Sequence, residues 1–398
     1  MKIAFDLRRI ANPGIGRYMK CLVETILSMG TTTHQYLLIM PPAAADAIDA
    51  SAPGVERTIC SANYYSLREQ VELPRILRRH KIDVLHSPHF LLPLIRPCAA
   101  VVTIHDVIYL ACKGDLPSRL GRVYYRLMMA FAVRSAERVI TDSQFSKRDI
   151  VRHLGVEPEK VEVIYPGVSG DFQPINDPAK LRAVRDRYDI NRDYVLYTGI
   201  YKPRKNHAGL LRAFQRFLAL GGDADLVIAG PLKEGRPLLL SLASELGISA
   251  RLKLTEFVND DELRVLYSGA RLYACPSLYE GFGFTMLEAM ACGAPVVCSA
   301  ETSLPEVAGD AACYANAREP EQFGEALFRV FTDLNVRTAL IAKGWHNLKR
   351  FSWERAAART LGVLELAGRH TEATCDTGTV PAQVNAGNLA EQFNARRE

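Results

Sequence analysis

The sequence predicts an α/β protein with two doubly wound parallel sheets, each covered by helices. Short apolar runs alternate with stretches of helical periodicity along most of the 398 residues, which is the pattern of strands joined by crossover helices. The alternation pauses in a span rich in Gly and Pro near the middle of the chain and then resumes. The length is large for one domain and suits two. We therefore expect two Rossmann-like domains.

Each half of the chain supplies its own strands and helices. In the first half the predicted strands are Lys2–Leu7, Gln35–Met40, Arg57–Cys60, Val84–His86, Ala100–His105, Arg138–Thr141 and Val161–Ile164, and the main helices are Arg17–Met29, Leu67–His80, Arg119–Ala136 and Gln144–Leu154. In the second half the predicted strands are Tyr194–Thr198, Asp225–Ala229, Arg251–Leu254, Leu272–Pro276, Val296–Ser299 and Cys313–Ala315, and the helices are His207–Leu220, Pro237–Leu246, Asp260–Ala270, Thr285–Cys292, Pro320–Thr332 and Asn335–Lys349.

Composition along the chain predicts the domain boundaries. Residues 171–192 are rich in turn formers and are predicted to be a linker between a first domain, 1–170, and a second domain, 193–367. The last predicted helix begins at 352–354. Large apolar residues almost disappear beyond it, so residues 368–398 are predicted to form a disordered tail.

Composition and charge narrow the class of protein. No window offers the roughly 18 uninterrupted apolar residues of a membrane span, and the first residues do not resemble a secretory signal, so we expect a cytoplasmic protein. Nine cysteines without a C-x-x-C pair fit reduced thiols. Residues 1–170 carry 22 Lys and Arg against 16 Asp and Glu. That excess suits an anionic membrane surface or a phosphorylated acceptor, although unpartnered surface charge explains it equally well. We expect no nucleic-acid partner.

The segment from Ser277 to Val297 carries the most informative functional pattern. Glu280 and Glu288 are separated by seven residues, and a Gly-Phe-Gly loop between them opens an apolar helix. A helix N-terminus offers unpaired N–H groups and a partial positive charge, so this loop suits a phosphate. Carboxylates accept hydrogen bonds from vicinal hydroxyls, such as those of a ribose or a hexose. The segment therefore predicts a site for a phosphorylated sugar compound.

Three further motifs follow predicted strands and should face the same cleft. Gly199-Ile-Tyr-Lys-Pro-Arg-Lys-Asn206 places three cations at a strand-to-helix turn, which suits a diphosphate. His105-Asp106 ends a strand, so His105 is expected to face the cleft. The alternative is that His105 is a core histidine hydrogen-bonded to a neighbour. Gly14-Ile-Gly16-Arg17 opens a helix and lacks the third glycine of a dinucleotide fingerprint. Its amides are expected to approach phosphates or the acceptor.

These segments, together with Thr141-Asp-Ser143, resemble the motifs of the retaining, nucleotide-sugar-dependent glycosyltransferases of group 1, also called family 4. The resemblance spans residues 1 to about 365 in the expected order. It implies the GT-B fold, in which two Rossmann-like domains face each other across a cleft. It also implies that the last helix crosses back onto the first domain, and that a histidine at position 105 contacts the donor sugar.

The resemblance implies a set of site residues. The catalytic set is Glu280, His105 and Lys205. The donor-binding set is Gly16, Lys202, Arg204, Phe257, Val258, Gly281, Phe282, Gly283, Phe284, Thr285 and Glu288. The family holds the nucleotide base through backbone groups next to Phe257 and Val258. The chain departs from the family at Ile200, where an arginine is expected, so Lys202 or Arg204 is predicted to replace that arginine.

Two features allow a second interpretation. Asp223-Ala-Asp225 matches a metal-binding D-x-D motif, but it follows two glycines and leads into a strand. We therefore predict that these aspartates form turns, and we expect neither a metal ion nor a cofactor. The helix 119–134 repeats arginine among Tyr, Met and Phe. It suits a membrane surface or a lipid-linked acceptor, and it equally suits a core helix with one basic face.

The motifs and the resemblance together predict a metal-independent, retaining glycosyltransferase. It would move a hexose from a nucleoside diphosphate sugar to a saccharide acceptor. The motifs look most like those of bacterial mannosyltransferases of surface polysaccharide assembly, so the expected donor is GDP-mannose. The expected acceptor is a polyprenyl-diphosphate-linked saccharide, reached by peripheral contact with the inner face of the membrane. The alternatives are a nucleotide-sugar epimerase of the same architecture and a non-catalytic subunit that binds sugar nucleotides.

Overall fold

A computed structural model of the protein describes residues 1–12, 14–30, 33–112 and 118–376. The strands are β1 (Lys2–Asp6), β2 (Gln35–Met40), β3 (Val55–Ile59), β4 (Val84–Ser87), β5 (Ala99–Thr103), β6 (Arg138–Thr141), β7 (Val161–Val163), β8 (Tyr194–Thr198), β9 (Asp225–Ala229), β10 (Leu252–Leu254), β11 (Leu272–Cys275), β12 (Val296–Ser299) and β13 (Ala312–Ala315). The helices are α1 (Ile15–Ser28), α2 (Glu69–Arg79), α3 (Ile108–Ala111), α4 (Arg119–Ser135), α5 (Gln144–Leu154), α6 (Pro178–Arg187), α7 (His207–Ala219), α8 (Arg236–Glu245), α9 (Asp260–Gly269), α10 (Phe284–Ala291), α11 (Leu304–Ala308), α12 (Pro320–Thr332), α13 (Leu334–Leu348) and α14 (Trp353–Asp376).

Two parallel sheets organise these elements. The first has the strand order β3-β2-β1-β4-β5-β6-β7 and the second β10-β9-β8-β11-β12-β13. The winding direction reverses between β1 and β4 in the first sheet and between β8 and β11 in the second. Ligands of doubly wound sheets bind at the carboxyl ends of the strands that flank such a reversal. The predicted fold class, two Rossmann-like domains in a GT-B arrangement, is confirmed.

Apolar side chains on both faces of each sheet form the cores. In the first domain α2, α4 and α5 pack on one face of the sheet, and α1 and α14 pack on the other. The last helix, α14, therefore lies on the first domain although it follows the second domain in the chain. It extends to Asp376, past the predicted start of the tail at 368. The remainder of the predicted tail, 377–398, lies outside the described residues.

The predicted linker differs from the structure. Residues 171–192 contain α6, and Val184 and Ile190 are buried in the core of the second domain. Pro178, one of the turn formers of this span, is the first residue of the helix, where its missing N–H is harmless. Asp177 caps the helix by accepting hydrogen bonds from the two following free N–H groups. The span therefore belongs to the second domain.

The chain crosses between the domains at two adjacent points. It leaves the first domain near Gly167 and returns to it at Trp353. A Cβ atom on Gly167 would lie 2.4 Å from the Trp353 backbone nitrogen, so the two crossings are in direct contact. Trp353 is buried, and its ring centroid lies 5.7 Å from that of Tyr18 on α1.

Within the part of the chain that the structure describes, no helix has both the length and the apolar composition needed to cross a bilayer.

Candidate active site

The loop after β11 carries Glu280 to the reversal point of the second sheet. Its carboxylate accepts a hydrogen bond from Lys205 Nζ at 2.5 Å, and both side chains are 14% exposed. Burial raises the pKa of Glu280, but Lys205, Ser277 and Arg204 together more than offset this effect, and the net pKa is below the usual value. The Glu280 N–H donates to Thr302 Oγ1 at 3.1 Å, and Ser303 Oγ donates to the Glu280 carbonyl oxygen at 2.9 Å. An ionised carboxylate and a cation are thus fixed side by side.

The other two cations of the turn between β8 and α7 lie in different surroundings. Lys202 Nζ is 3.8 Å from a carboxylate oxygen of Glu234, and both side chains are exposed. Burial raises the pKa of Asp106, and the positive charge of Arg204 opposes that rise. Because Asp106 follows β5 of the first domain, Arg204 lies close to the opposite side of the cleft.

Gly281 lies where the two domains meet. Its carbonyl oxygen accepts hydrogen bonds from Ser143 Oγ at 2.7 Å and from Ser146 Oγ at 3.0 Å. A Cβ atom on Gly281 would lie 2.7 Å from the His105 carbonyl oxygen and 2.9 Å from Asp106 Cβ. The absence of a side chain therefore allows the loop of the second domain to contact the end of β5 directly.

His105 is oriented by a first-domain carboxylate. Its Nδ1 lies 2.6 Å from Asp142 Oδ2, and the Tyr18 ring meets the imidazole edge-on at 4.7 Å between centroids. Burial lowers the pKa of His105, but Asp142, with smaller contributions from Asp106 and the Pro88 backbone, outweighs burial, and the net pKa is above the usual value. The Asp142 contact makes Nδ1 the protonated nitrogen. Nε2 is enclosed, and the Pro88 backbone, which hydrogen-bonds the imidazole, also raises its pKa.

Glu288 on α10 is buried but faces the first domain. Arg17, in the first turn of α1, donates to its Oε1, and the Tyr267 hydroxyl donates to its Oε2 at 3.2 Å. Arg17 also pairs with Asp260 at 2.5 Å and lies 5.3 Å from the ring centroid of Phe172. Burial raises the pKa of Glu288, and Arg17 opposes that rise. A first-domain cation thus occupies one oxygen of this carboxylate.

The start of α10 is built from the remaining loop residues. Gly283 has φ +106°, a left-handed conformation that favours glycine. Phe282 is buried, and its ring centroid lies 5.0 Å from that of Phe284. Thr285 Oγ1 accepts a hydrogen bond from the Tyr273 hydroxyl at 2.9 Å. These contacts fix the helix N-terminus beside Glu280.

Three predicted donor-binding residues lie outside this group. A Cβ atom on Gly16 would lie 2.0 Å from the Ile10 carbonyl oxygen, so the packing of α1 against its preceding loop already requires glycine there. Phe257 and Val258 lie between β10 and α9. Phe257 is 78% exposed, while Val258 packs partly against the core of the second domain.

The described residues contain no group of three His, Cys, Asp or Glu side chains placed to hold a metal ion. Asp223 accepts a hydrogen bond from Arg251 at 2.6 Å. Asp225 is the buried first residue of β9, and it accepts a hydrogen bond from the Asn191 N–H at 3.0 Å. Both aspartates therefore lie at the amino end of the strand, away from the cleft.

Sequence reasoning missed three residues that bind across or beside the cleft. Arg17 lay inside a noted glycine motif, and Asp142 lay inside Thr141-Asp-Ser143, but neither was given a role. Glu306 on α11 accepts hydrogen bonds from the N–H groups of Gln144 at 2.6 Å and Phe145 at 2.9 Å. It caps α5 from the other domain. No local pattern identifies such a contact, because the partners are about 160 residues apart.

Comparisons with known proteins agree with this geometry. Residues 14–172 match the family described as Glycosyltransferase Family 4, and residues 183–345 match Glycosyl transferases group 1. The chain is 31% identical over 384 residues to the O-antigen chain mannosyltransferase B of Escherichia coli, which covers 92% of this chain and 100% of the relative.

Solved structures share the fold. The sucrose-phosphate synthase of Thermosynechococcus elongatus superposes with a TM-score of 0.73 at 17% identity, covering 92% of this chain and 98% of that one. HepE of Anabaena in complex with UDP-glucose superposes with a TM-score of 0.71 at 20% identity, covering 92% and 100%.

Two Rossmann-like domains that face each other across a cleft define a GT-B protein. The chain belongs to the group 1, or family 4, glycosyltransferases, as the motifs indicated, and it is a glycosyltransferase.

Proposed function

We propose that the protein transfers a mannosyl group from GDP-mannose to a saccharide acceptor, with retention of anomeric configuration. The observation that carries the proposal is the Glu280–Lys205 pair, because its loop contacts the backbone of His105 across the cleft. The 31% identity to an O-antigen chain mannosyltransferase supports mannose as the sugar.

The donor diphosphate is proposed to bind at the turn after β8 and at the N-terminus of α10. Lys205 and Arg204 supply two positive charges, and the first N–H groups of α10 supply further donors. Arg204 is better placed than Lys202 to replace the arginine that the family carries at Ile200, because Lys202 pairs at the surface. These groups would stabilise negative charge on the leaving diphosphate, so the proposed mechanism uses no metal ion.

The two glutamates are assigned different hydroxyls. Glu280, ionised beside Lys205, would accept hydrogen bonds from the sugar, and Glu288 would accept them from the ribose. Ribose binding then requires Arg17 to release one oxygen of Glu288. His105 Nε2 would accept a hydrogen bond from a hydroxyl of the donor sugar once the sugar fills the cleft. We assign no side chain as a nucleophile.

The acceptor is proposed to be lipid-linked and to be reached at the inner face of a membrane. Exposed apolar side chains of the first domain support this. They are Leu67, Val71, Leu94, Ile95, Leu120, Val123 and Leu127. The Leu94 N–H donates to Gln70 Oε1 at 2.7 Å, which joins the 94–95 loop to α2. We call this set the apolar face. Exposed apolar groups beside basic residues such as Arg126 suit the interface of an anionic membrane.

Calorimetric titration with GDP-mannose, UDP-glucose and the free nucleotides tests the donor. We expect GDP-mannose to bind at least about tenfold more tightly than UDP-glucose, a difference of about 1.4 kcal/mol. Tighter binding of UDP-glucose would overturn the donor assignment. Conversion of the sugar nucleotide without any acceptor would indicate an epimerase. Donor binding without sugar transfer to any lipid-linked saccharide would indicate a non-catalytic subunit.

Vesicle co-sedimentation tests the membrane contact. We expect the wild type to bind anionic vesicles at low salt and less strongly at high salt. Leu120→Gln with Leu127→Gln, or Arg126→Gln, should weaken binding, since each basic residue near the surface contributes about 1 kcal/mol. Leu238→Gln, which changes a 61% exposed leucine of the second domain, is the matched control. A wild type that stays in the supernatant at low salt would refute the contact.

A further inference from the structure

Aromatic side chains cluster at the carboxyl edge of the first sheet. The ring centroids of Tyr65 and Tyr124 are 6.0 Å apart, and those of Tyr65 and Phe90 are 6.4 Å apart. Phe90 contacts Tyr125 at 4.9 Å, and Tyr125 contacts Tyr109 at 5.1 Å. Tyr65, Tyr109 and Tyr124 are 48%, 36% and 45% exposed. We call these three side chains the tyrosine platform. The proposed donor site uses none of them.

A buried ionic group holds Tyr65 in an unusual conformation. Tyr65 has φ +65°, which is uncommon for a residue with a large side chain. Its N–H donates to Glu69 Oε2 at 3.0 Å, and Arg8 donates to Glu69 Oε1 at 2.7 Å. Arg8 also forms a two-point contact with Asp6 at 2.6 and 2.8 Å, and all three charged side chains are buried. Backbone strain fixed by its surroundings is typical of functional sites.

Polar groups beside the platform lack partners. The Arg9 guanidinium lies 4.8 Å from the ring centroid of Tyr64 and 5.8 Å from that of Tyr65, and it donates to His89 Nε2 at 2.8 Å. Because arginine cannot accept a hydrogen bond, His89 carries its proton on Nδ1. Among the described residues, His89 Nδ1 and Tyr64 Oη are enclosed without a hydrogen-bond partner. Such groups in a native structure call for an explanation, which an ordered water or a ligand that displaces the surrounding side chains would supply.

The chemistry of this surface matches a saccharide. A hexose presents an apolar C–H face, which packs on aromatic rings, and a rim of hydroxyls, which bind guanidinium and imidazole groups. The surface is also close to the proposed reaction centre, because His89 follows β4 and His105 follows the neighbouring parallel strand β5, so both lie at the same edge of the sheet. Tyr124 shares a face of α4 with Leu120 and Leu127 of the apolar face, which lie four residues before it and three after it, so a lipid-linked saccharide could contact both surfaces at once.

We infer that the tyrosine platform and Arg9 bind the terminal hexose of the acceptor, which rests on the proposed glycosyl transfer. Tyr65 and Tyr124 pack against the apolar face of the sugar ring. Arg9 donates hydrogen bonds to its hydroxyls. The platform therefore selects acceptors whose terminal sugar has an unbroken apolar face.

Saturation-transfer NMR with methyl α-mannoside, methyl α-glucoside and methyl α-galactoside tests this inference, with GDP added to occupy the donor site. Tyr65→Asn removes the ring but tolerates positive φ, whereas Tyr65→Phe keeps the ring. We expect at least one of the sugars to bind to the wild type and to Tyr65→Phe with the same affinity. Its affinity for Tyr65→Asn and for Tyr124→Ala should be about tenfold lower, because each change removes a ring that packs against the apolar face of the sugar. Trp345→Ala, which changes an exposed aromatic residue of the second domain, should behave as wild type.

Each outcome is decisive. Absence of binding by all three sugars, or equal binding by the wild type and Tyr65→Asn, would overturn the platform. If Tyr65→Asn loses vesicle binding but keeps its sugar signals, the rings belong to a membrane surface instead. Calorimetry with GDP-mannose separates this inference from the proposed donor. A wild type that fails to bind GDP-mannose but shows Tyr65-dependent sugar binding would refute the donor and retain the platform.

Discussion

Replacing Gly281 with alanine is expected to impair catalysis by keeping the two domains apart. The added Cβ would lie 2.7 Å from the His105 carbonyl oxygen, and ordinary contact begins near 3.4 Å. The loop must therefore retreat by about 0.7 Å, and it meets a backbone atom that cannot swing aside. The retreat would also lengthen the hydrogen bonds from Ser143 and Ser146 to the Gly281 carbonyl oxygen.

The magnitude follows from the cost of overpacking. Inserting a methyl group into a well-packed contact costs about 1–3 kcal/mol, which corresponds to a rate loss of about 5- to 150-fold if the closed arrangement is the reactive one. Gly281 does not have a positive φ, so alanine adds no local backbone strain. The cost should therefore fall on the contact between the domains and leave the second domain folded.

Steady-state kinetics with GDP-mannose and a lipid-linked saccharide, beside calorimetry with GDP, measures the effect. We expect kcat to fall within that range while GDP affinity stays near that of the wild type. Gly170→Ala is the matched control, because its Cβ would meet no atom within 4 Å and its φ is not positive. A Gly281→Ala enzyme with kcat within twofold of the wild type would refute closure at this contact.

Three further predictions concern the donor site and its charges. Lys205→Ala and Glu288→Ala should each weaken GDP-mannose binding about tenfold or more in calorimetry, because each removes a charge-assisted hydrogen bond to the donor. The circular dichroism spectrum should stay unchanged, and an unaltered affinity would show that the residue is not part of the site. The raised pKa of His105 contributes stability below pH 6.5 that is lost as pH rises through the raised value. Asp142→Asn should therefore flatten the fall in the free energy of unfolding as pH rises above 6.5, and an unchanged slope would contradict the pairing. Sugar transfer should persist in excess chelator, and loss of activity that magnesium restores would show that a metal ion is required.

Most of the fold was predictable from local patterns. Strands buried between helix layers are short and apolar, and the predicted strand bounds differ from those observed by at most two residues. The helix α6 was missed because its sequence is mostly charged and only Val184 is buried along it. A single buried side chain gives no detectable helical periodicity, so tertiary packing determines that helix.

The site was predictable only where its residues share a local pattern. Glu280, Glu288 and Lys205 lie in compact motifs beside glycines, and the structure brings Lys205 to Glu280. The partner of Glu288 could not be predicted, because Arg17 lies 271 residues away in sequence. Contacts between domains depend on how the domains pack, and no spacing rule encodes that.

The contact between Gly167 and Trp353 has a mechanical consequence. Because the two connections between the domains touch, they form one short hinge. Such a hinge allows the domains to rotate relative to each other but opposes translation of one along the other. A rotation of a few degrees hardly displaces atoms at the hinge, whereas loops far from it are displaced in proportion to their distance from the hinge. Trp353 is one of only two tryptophans and lies at this hinge. Its ring contacts that of Tyr18, and Tyr18 contacts His105. The protein therefore has a buried fluorophore, Trp353, at the hinge, and the Tyr18 ring connects it to the His105 imidazole in the cleft.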